Sequence, residues 1–423
     1  MSHIIPMCDI VVFSCQAKRG DEMKKAMKFI LATALLCCAL NANESVFNKN
    51  WQINNENITA LASATANIDL QTHAKSAYLM DFSTQTVVYS HNENKRLPIA
   101  SMCKIMTLLL SFEAIDDGIL SMEEEIFVSE RAASMGGSQV FLEANAKYKV
   151  GELMKSIVVC SANDSCVALA ERISDSESLF VDKMNEKAKE IGAENTLFAN
   201  CTGLPQEPQY SCAKDVALML KNLLNHEKYY EFGKVWLDKF QHPEGRFTEI
   251  TNTNKLIRFY NGCDGGKTGF TNEAGFCLAA TAKRDNLRLI SVVIGEESSE
   301  ARFRDVRAMF DYGFANYTAT PIVEKDIPLE ESASVIGGKA KEVKVYAERS
   351  SYTFMRRGEK ASVTIDTRFD KVKAPISAGE KVGELVIYRD GVECDRLNLL
   401  AANGVEKANF LDRLREIAHE WNA

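Results

Sequence analysis

The chain has 423 residues, of which 46% are hydrophobic and 26% are charged, and its formal net charge is -8. This length exceeds what one hydrophobic core usually organises, so two globular domains are expected and disorder is not. The acidic balance, with no basic patch interleaved with aromatic residues, argues against nucleic acid as a partner.

A signal peptide is the first predicted element. Three lysines within residues 24–28 precede an apolar run over residues 29–40, and Ala42 offers a small residue for cleavage. Residues 1–21 fit no signal pattern, so Met23 is predicted to be the true start. Residues 1–42 are therefore predicted to comprise an N-terminal extension followed by the signal peptide. The run is too short to span a bilayer comfortably, so export without a permanent N-terminal anchor is expected.

The next predicted elements are two short strands over residues 75–91 and a helix opened by Pro98. Ser101 and Lys104 then lie one helical turn apart and share one face. A serine hydroxyl is a weak nucleophile that needs a neighbouring base, and a lysine can serve if burial and nearby cations lower its pKa. Alone, Ser-x-x-Lys is usually helix surface, and Ser101 becomes a candidate nucleophile only because of the motifs that follow.

The second motif is Ser161-Ala162-Asn163, which lies where an apolar run ends and a helical pattern resumes. In an extended turn, Ser161 and Asn163 would point the same way. Ser161 could then relay a proton while the Asn163 side chain holds a substrate amide. Read alone, these residues are typical of a helix N-cap.

The third motif, Lys267-Thr268-Gly269, precedes apolar stretches at 276–282 and 289–294 that are typical of a sheet. A strand bordering a cleft could offer its backbone to a peptide-like substrate. Lys267 and Thr268 could contact a carboxylate, and Gly269 would leave room for close approach. Alone, Lys-Thr-Gly is a common surface turn, but three motifs in this order predict one site built around an acylatable serine.

Together the three motifs resemble the signature of penicillin-binding proteins. Wider strings resemble those of the D-alanyl-D-alanine carboxypeptidases, the low-molecular-mass penicillin-binding proteins, at residues 138–142, 160–170, 200–204 and 264–275. The resemblance implies an α/β fold, with a three-layer β-lactamase/transpeptidase-like serine acyltransferase domain followed by a small β-rich C-terminal domain. It implies no cofactor.

The same resemblance implies removal of the terminal D-alanine from peptidoglycan pentapeptide stems through an acyl-enzyme on Ser101, with inhibition by penicillin. Lys104 would act as general base in acylation. Ser161 and Lys267 would provide a proton relay and electrostatic support, and Asn163 would position the peptide.

Substrate contacts implied by the resemblance lie around the third motif. The backbone N–H groups of Ser101 and Phe270 would hold the oxyanion. Some relatives carry histidine where this chain has Phe270, so the resemblance leaves the substrate contacts at this position open, and the difference does not affect the chemistry. Arg302 would bind the free carboxylate of the terminal D-alanine, for which a guanidinium is suited. Arg304 and Arg307 nearby leave the register open, and a solvated charge in a Glu-rich loop is the alternative.

Removing the predicted signal leaves eight cysteines in a compartment where disulfides could form, at positions 103, 160, 166, 201, 212, 263, 277 and 394. They show no repeated Cys-x-x-Cys spacing and the histidines are scattered, so no metal site is expected. Buried small apolar side chains are the preferred interpretation.

Residues 43–320 are predicted to form the catalytic domain, with a helix around 301–317 covering its sheet and a boundary at 318–321. Alternating segments, such as 342–347, 361–365 and 381–387, then predict a β-rich domain over residues 321–403.

A C-terminal amphipathic helix is predicted within residues 404–423. Its apolar face comprises Phe410, Leu411, Leu414, Ile417, Ala418 and Trp421. Relatives anchor to the membrane by such a helix, but here acidic residues offset the two arginines, so apolar burial would have to supply peripheral binding. Packing against the β-rich domain is the alternative.

Three other functions are considered. A DD-endopeptidase cutting peptidoglycan crosslinks would share the chemistry and differ in cleft shape. A β-lactamase is less favoured because Ala162 stands where class A enzymes carry aspartate and no Glu-x-x-Leu-Asn element is found. A non-catalytic wall-binding protein is disfavoured because Ser101, Lys104 and Lys267 are all intact. The expected partners are peptidoglycan stem peptides and β-lactam antibiotics as covalent inhibitors, in the periplasm or cell envelope, including the outer face of the inner membrane.

Overall fold

The structure is a computed structural model that describes residue 70 and residues 72–414. The predicted signal peptide and the end of the predicted C-terminal helix lie outside these residues. The helices are α1 (Lys104–Asp116), α2 (Glu130–Ala133), α3 (Val150–Cys160), α4 (Asn163–Ser174), α5 (Glu177–Glu190), α6 (Ala213–Leu223), α7 (Tyr229–Gly233), α8 (Leu256–Phe259) and α9 (Ser299–Asn316).

The strands of the first part of the chain are β1 (Ser76–Asp81), β2 (Val87–His91), β3 (Glu125–Phe127), β4 (Lys147–Lys149), β5 (Leu237–Gln241), β6 (Phe247–Thr251), β7 (Cys263–Thr271), β8 (Gly275–Arg284) and β9 (Leu287–Glu296). Those that follow are β10 (Tyr317–Val323), β11 (Ser332–Ile336), β12 (Glu342–Ala347), β13 (Ser351–Arg356), β14 (Val363–Phe369), β15 (Val372–Lys373), β16 (Lys381–Arg389) and β17 (Val392–Ala401).

A five-stranded antiparallel sheet in the order β2-β1-β9-β8-β7 organises the catalytic part. Every residue of β9 is buried, as expected for a central strand covered on both faces. Helices α1 and α6 belong to the core on one side, and α9 packs on the other, so the sheet is the middle of three layers. The predicted helical insertion between the two halves of one sheet, and the helix that covers it, are confirmed.

Two features of this region differ from expectation. The hairpin β5–β6 was not predicted, because its outer face is mostly polar and each strand buries one residue, Phe240 or Ile250. The segment 318–321, predicted as a boundary, instead lies inside strand β10, which pairs with β13. The domain limits themselves remain a prediction.

After β10 the chain forms a six-stranded sheet in the order β14-β16-β17-β12-β11-β15. Its strands bury a separate apolar cluster that includes Val345, Leu385 and Leu399. The predicted β-segments at 342–347 and 381–387 are confirmed by β12 and β16. None of the helices within the described residues has the length and apolar character needed to span a bilayer.

Candidate active site

Ser101 lies in a short 3₁₀ turn, Ala100–Cys103, that leads directly into α1. The turn places Lys104 at the first position of α1, where its side chain is completely buried. Lys104 Nζ lies 2.9 Å from Ser101 Oγ and donates a second hydrogen bond of 2.5 Å to the Thr202 carbonyl oxygen. The serine is therefore held against an amine whose position is fixed from the opposite side.

The protonation of this amine is controlled by its surroundings. Burial lowers the pKa of Lys104, because an ammonium loses its hydration there. Lys267 is also buried, and its pKa is lowered well below the ordinary value by burial and then by the charge of Lys104. Since two adjacent ammonium groups repel each other, the pair favours one neutral amine, which can act as a base.

The turn before Ser101 is confined by two glycines. Ala100 has a positive φ of 48°, which an L-residue adopts at a cost. A Cβ at Gly203 would overlap the Ala100 carbonyl, and one at Gly269 would lie 2.6 Å from the Ile99 carbonyl oxygen. The backbone that carries the nucleophile is thus packed directly against two other segments of the chain.

The second motif spans the junction between α3 and α4. Ser161 caps α3 in the left-handed region, with φ 68° and ψ 34°, so the expected extended turn is wrong. Only Ala162 is extended, and Asn163 begins α4 without a side-chain N-cap. Ser161 Oγ is buried and has no hydrogen-bond partner within the described residues, so its hydroxyl is available to a reacting group.

Asn163 is attached to residues 136–143, which we call the cleft loop. Its backbone N–H donates to Ser138 O at 2.7 Å, and its Nδ2 donates to Gly136 O at 2.6 Å. The next residue, Asp164, is fully buried and accepts N–H groups of Val140 and Leu142. The motif therefore fixes the loop as well as the side chain expected to hold the substrate amide.

The third motif lies on β7, which packs on the 3₁₀ turn. Lys267 and Thr268 are buried, and Thr268 Oγ1 donates to Thr253 Oγ1 at 2.7 Å. Phe270 is 51% exposed and its ring lies 4.3 Å from that of Phe276. The aromatic side chain thus stands at the surface beside the motif.

Arg302, the first of the three candidate arginines, reaches the same strand from α9. Its Nη1 donates to Gly269 O at 3.2 Å and Cys277 O at 3.3 Å, while its buried Nε has no partner within the described residues. Arg304 instead pairs with Asp305. Of the three, Arg302 is the one that contacts the Lys-Thr-Gly segment, and its guanidinium has an unused donor.

The eight cysteines of the described residues are all free thiols, and every one except Cys160 and Cys394 is buried. Burial raises the pKa of Cys166 to about 12, so this thiol is not a nucleophile at neutral pH. This agrees with their interpretation as small apolar side chains.

Sequence reasoning assigned no role to several residues that build the site. The Thr202 carbonyl holds Lys104, and Asn200 Oδ1 accepts the N–H groups of Thr202 and Gly203 to shape that segment. Asp164 likewise accepts the Val140 N–H of the cleft loop, and Thr253 accepts a hydrogen bond from Thr268. Residues 200–204 had been singled out only as a matching string, because a backbone acceptor leaves no side-chain signature.

The family model described as D-alanyl-D-alanine carboxypeptidase matches residues 60–298, more than half of the chain. This chain belongs to the D-alanyl-D-alanine carboxypeptidase family. A second model, described as the penicillin-binding protein 5 C-terminal domain, matches residues 317–407.

Individual carboxypeptidases agree with this assignment. The chain is 40% identical over 355 residues to the D-alanyl-D-alanine carboxypeptidase DacF of Bacillus subtilis, covering 84% of this chain and 91% of the relative. Among solved structures, penicillin-binding protein 5 from Haemophilus influenzae matches with a TM-score of 0.62 and 28% identity, covering 80% of this chain and 98% of that one.

A peptidoglycan synthesis regulatory factor from Streptococcus pneumoniae has a TM-score of 0.63 and 27% identity, and the match covers 80% of this chain and 99% of that one. The expected fold, a transpeptidase-like α/β domain followed by a β-rich domain, is therefore confirmed. Family membership makes the chain a serine-type, penicillin-binding carboxypeptidase, and the endopeptidase, β-lactamase and wall-binding alternatives are not favoured.

Proposed function

We propose that the site built by the three motifs removes the terminal D-alanine from peptidoglycan pentapeptide stems, with Ser101 as nucleophile. The observation that carries the proposal is the fully buried Lys104 amine 2.9 Å from Ser101 Oγ. A neutral amine at this distance can accept the hydroxyl proton as the oxygen attacks.

In the acylation step, Ser101 Oγ forms a bond to the carbonyl carbon of the penultimate D-alanine while its proton passes to Lys104 Nζ. The resulting oxyanion would be held by the backbone N–H groups of Ser101 and Phe270. Collapse breaks the C–N bond, and the proton passes through the Ser161 hydroxyl to the leaving amino group of D-alanine. The unpartnered Ser161 Oγ supports this relay.

Deacylation uses a water molecule, which adds to the ester carbonyl as Lys104 takes its proton. The ester bond to Ser101 then breaks, and the proton returns to the serine oxygen. β-Lactams would acylate the same oxygen by ring opening and block it.

The substrate contacts follow from the same cleft. The Asn163 amide would hold a peptide amide of the stem, and β7 would offer backbone groups to it. Lys267, Thr268 and Arg302 would bind the terminal carboxylate. The buried guanidinium with a free Nε donor supports this role for Arg302.

The direct test is D-alanine release from an N-acylated Lys-D-Ala-D-Ala tripeptide, compared between the protein and its Ser101→Ala variant. We expect release that falls at least about 10⁴-fold in the variant, since removal of a catalytic nucleophile costs that much. Release that persists in Ser101→Ala would exclude this serine. No release by a protein that penicillin still acylates would point to crosslinked peptides as substrate.

We further propose export to the periplasm or cell envelope, with peripheral contact to the outer face of the inner membrane through the C-terminal segment. Phe410, Leu411 and Leu414 are 75%, 62% and 46% exposed, which supports an apolar surface free to bind lipid. Vesicle flotation with and without residues 408–423 tests this contact, and equal partitioning would refute it. A mature N-terminus before residue 43 would contradict the predicted signal cleavage.

A further inference from the structure

Two aromatic rings contact the guanidinium of Arg302. Its Cζ lies 5.5 Å from the ring centroid of Phe276 on β8 and 4.8 Å from that of Phe303 on α9. Both distances are within the range in which the face of an aromatic ring attracts a cation. The guanidinium is therefore attached to the sheet by a contact that involves no hydrogen bond.

The hydrogen bonds of Arg302 are long, and all their acceptors are uncharged. Nη1 donates to Gly269 O at 3.2 Å and to Cys277 O at 3.3 Å, and Nη2 donates to Ser299 Oγ at 3.3 Å. These distances are at or beyond the upper end of the usual N–H···O range. A guanidinium has five N–H donors, so three acceptors leave two donors, including Nε–H, for a ligand.

Arg302 has no acidic partner among the described residues, although it is only 9% exposed. Glu300, two residues earlier, is exposed, and Arg304 takes the carboxylate of Asp305. Burial lowers the pKa of Arg302, because the cation loses hydration without gaining an anion. A carboxylate partner would stabilise this charge but would occupy the donors that a substrate carboxylate needs. An aromatic face stabilises the charge and leaves these donors free.

A second ring supports Phe276. Phe270 is its cross-strand neighbour in the β7–β8 pair, and the two ring centroids lie 4.3 Å apart with a tilt of 31°. Facing residues of adjacent strands lie on the same side of a sheet, where such aromatic pairs stabilise each other. Arg302 therefore contacts Phe276, and Phe276 contacts Phe270, which directly follows the Lys-Thr-Gly motif.

We propose that Phe276 is a positioning residue that holds the Arg302 guanidinium in the orientation that binds the terminal carboxylate of the substrate. Phe303 supports the guanidinium from α9, and Phe270 supports the ring of Phe276. The aromatic contact thereby contributes to the preference for a peptide that ends in a free carboxylate. The proposal rests on the proposed function, because it assigns this carboxylate to Arg302.

The test uses two substrates that differ only in the charge of the leaving group. A thioester of an N-acylated D-alanine with mercaptoacetate carries a free carboxylate, and the thioester with methyl mercaptoacetate does not. Both give the same acyl-enzyme on Ser101, so the ratio of their kcat/KM values measures recognition of the carboxylate during acylation. Loss of the thioester absorbance gives both rates, and the ratio does not depend on the folded fraction of a preparation.

We expect Phe276→Leu to lower kcat/KM for the free-acid thioester about 5-fold, mainly through a higher KM, the worth of one cation–π contact. The rate for the methyl ester should not change, because its leaving group has no carboxylate for the guanidinium. Phe276→Tyr keeps the aromatic face and should restore the ratio. A residue with a merely structural role would lower both rates together.

Three further variants control this result. Phe276→Met keeps more of the side-chain volume than leucine but no aromatic face, so it should reproduce the effect. Arg302→Gln should remove the preference for the free acid, and addition of Phe276→Leu should then change the ratio no further. The matched control is Phe314→Leu, because Phe314 lies on the same helix with Cζ of Arg284 4.5 Å from its ring centroid. It should leave the ratio at the value of the unaltered protein.

An unchanged ratio in Phe276→Leu and Phe276→Met would overturn the proposal, whether or not both rates fall together. So would a further effect of Phe276→Leu in the Arg302→Gln protein, because the ring would then act on another group. If the unaltered protein does not prefer the free acid, or if Arg302→Gln keeps the preference, the carboxylate contact in the proposed function is itself wrong.

Discussion

The catalytic part of this chain buries charged side chains, whereas the β-rich part keeps them at its surface. Within the described residues, every buried charged side chain precedes β10, including Lys104, Asp164, Lys267 and Arg302. The sheet after β10 buries an apolar cluster and keeps ion pairs such as Arg349–Asp395 at its surface. Burying a charged side chain lowers the stability of the fold unless the charge is paired or hydrogen-bonded. The buried charges therefore indicate the part of the chain in which catalytic function has been kept at a cost in stability.

The largest expected effect in this comparison is the loss of the buried base. Lys104→Met keeps an apolar chain of similar length but removes the amine that contacts Ser101 Oγ. We expect penicillin acylation to slow by about 10²–10⁴-fold, the range for a general base. Stopped-flow acylation with a fluorescent penicillin measures it, and a loss below tenfold would show that another group takes the proton.

A loss of stability should follow removal of the buried carboxylate of Asp164. Asp164→Ala leaves the N–H groups of Val140, Leu142 and Ser165 without their acceptor. We expect the free energy of unfolding to fall by about 3 kcal/mol, because buried donors are left unsatisfied. Urea denaturation gives the value, and a change below about 1 kcal/mol would mean that the loop finds other acceptors.

The pH profile tests how the two buried lysines share charge. Acylation needs neutral Lys104, so the rate should rise with pH through a pKa below the ordinary lysine value of 10.5. Because the pKa of Lys267 is lowered further than that of Lys104, Lys267 is neutral in the pH range where Lys104 titrates. We therefore expect Lys267→Gln to leave the acid limb within about half a pH unit of its position and to lower the plateau rate. An acid limb that moves by a full unit would show that Lys267 carries a charge beside Lys104.

The smallest effect is expected at the surface of the β-rich part. Arg349→Met breaks the pair with Asp395, whose side chains are 50% and 24% exposed. Solvent-exposed pairs contribute little, so unfolding free energy should change by about 1 kcal/mol or less and acylation should not change. A loss of unfolding free energy as large as that expected for Asp164→Ala would show that surface charges of the β-rich part matter as much as buried charges of the catalytic part.

Features of the site that are formed by side chains could be predicted from the sequence, whereas those formed by backbone groups could not. The motif residues could be located because serine, lysine and asparagine at fixed spacings are typical of this chemistry. The structure places Lys104 Nζ 2.9 Å from Ser101 Oγ and Lys267 close enough for the charge of Lys104 to lower its pKa. The Thr202 carbonyl on Lys104 could not be predicted, since it joins residues 98 apart through a backbone oxygen.

Local backbone conformation was the second kind of feature that the sequence did not predict. The left-handed Ser161 is unexpected because a non-glycine residue rarely adopts that region, although here its backbone N–H caps α3 by donating to Ser156 O. The hairpin β5–β6 lacks the alternation that marks a half-buried strand, although it places His242 beside the cleft loop. Arg302 could be proposed from its type, but only the contact with Gly269 distinguishes it from Arg304.

The two glycines packed on the turn before Ser101 limit how this enzyme can escape an antibiotic. A Cβ at Gly203 or Gly269 meets backbone atoms of residues 99–100, which cannot rotate away as a side chain could. Substitution at either position would displace the nucleophile for the natural peptide and for penicillin alike. Resistance mutations that spare wall maturation should therefore arise at more distant positions that alter the cleft, and not at these two.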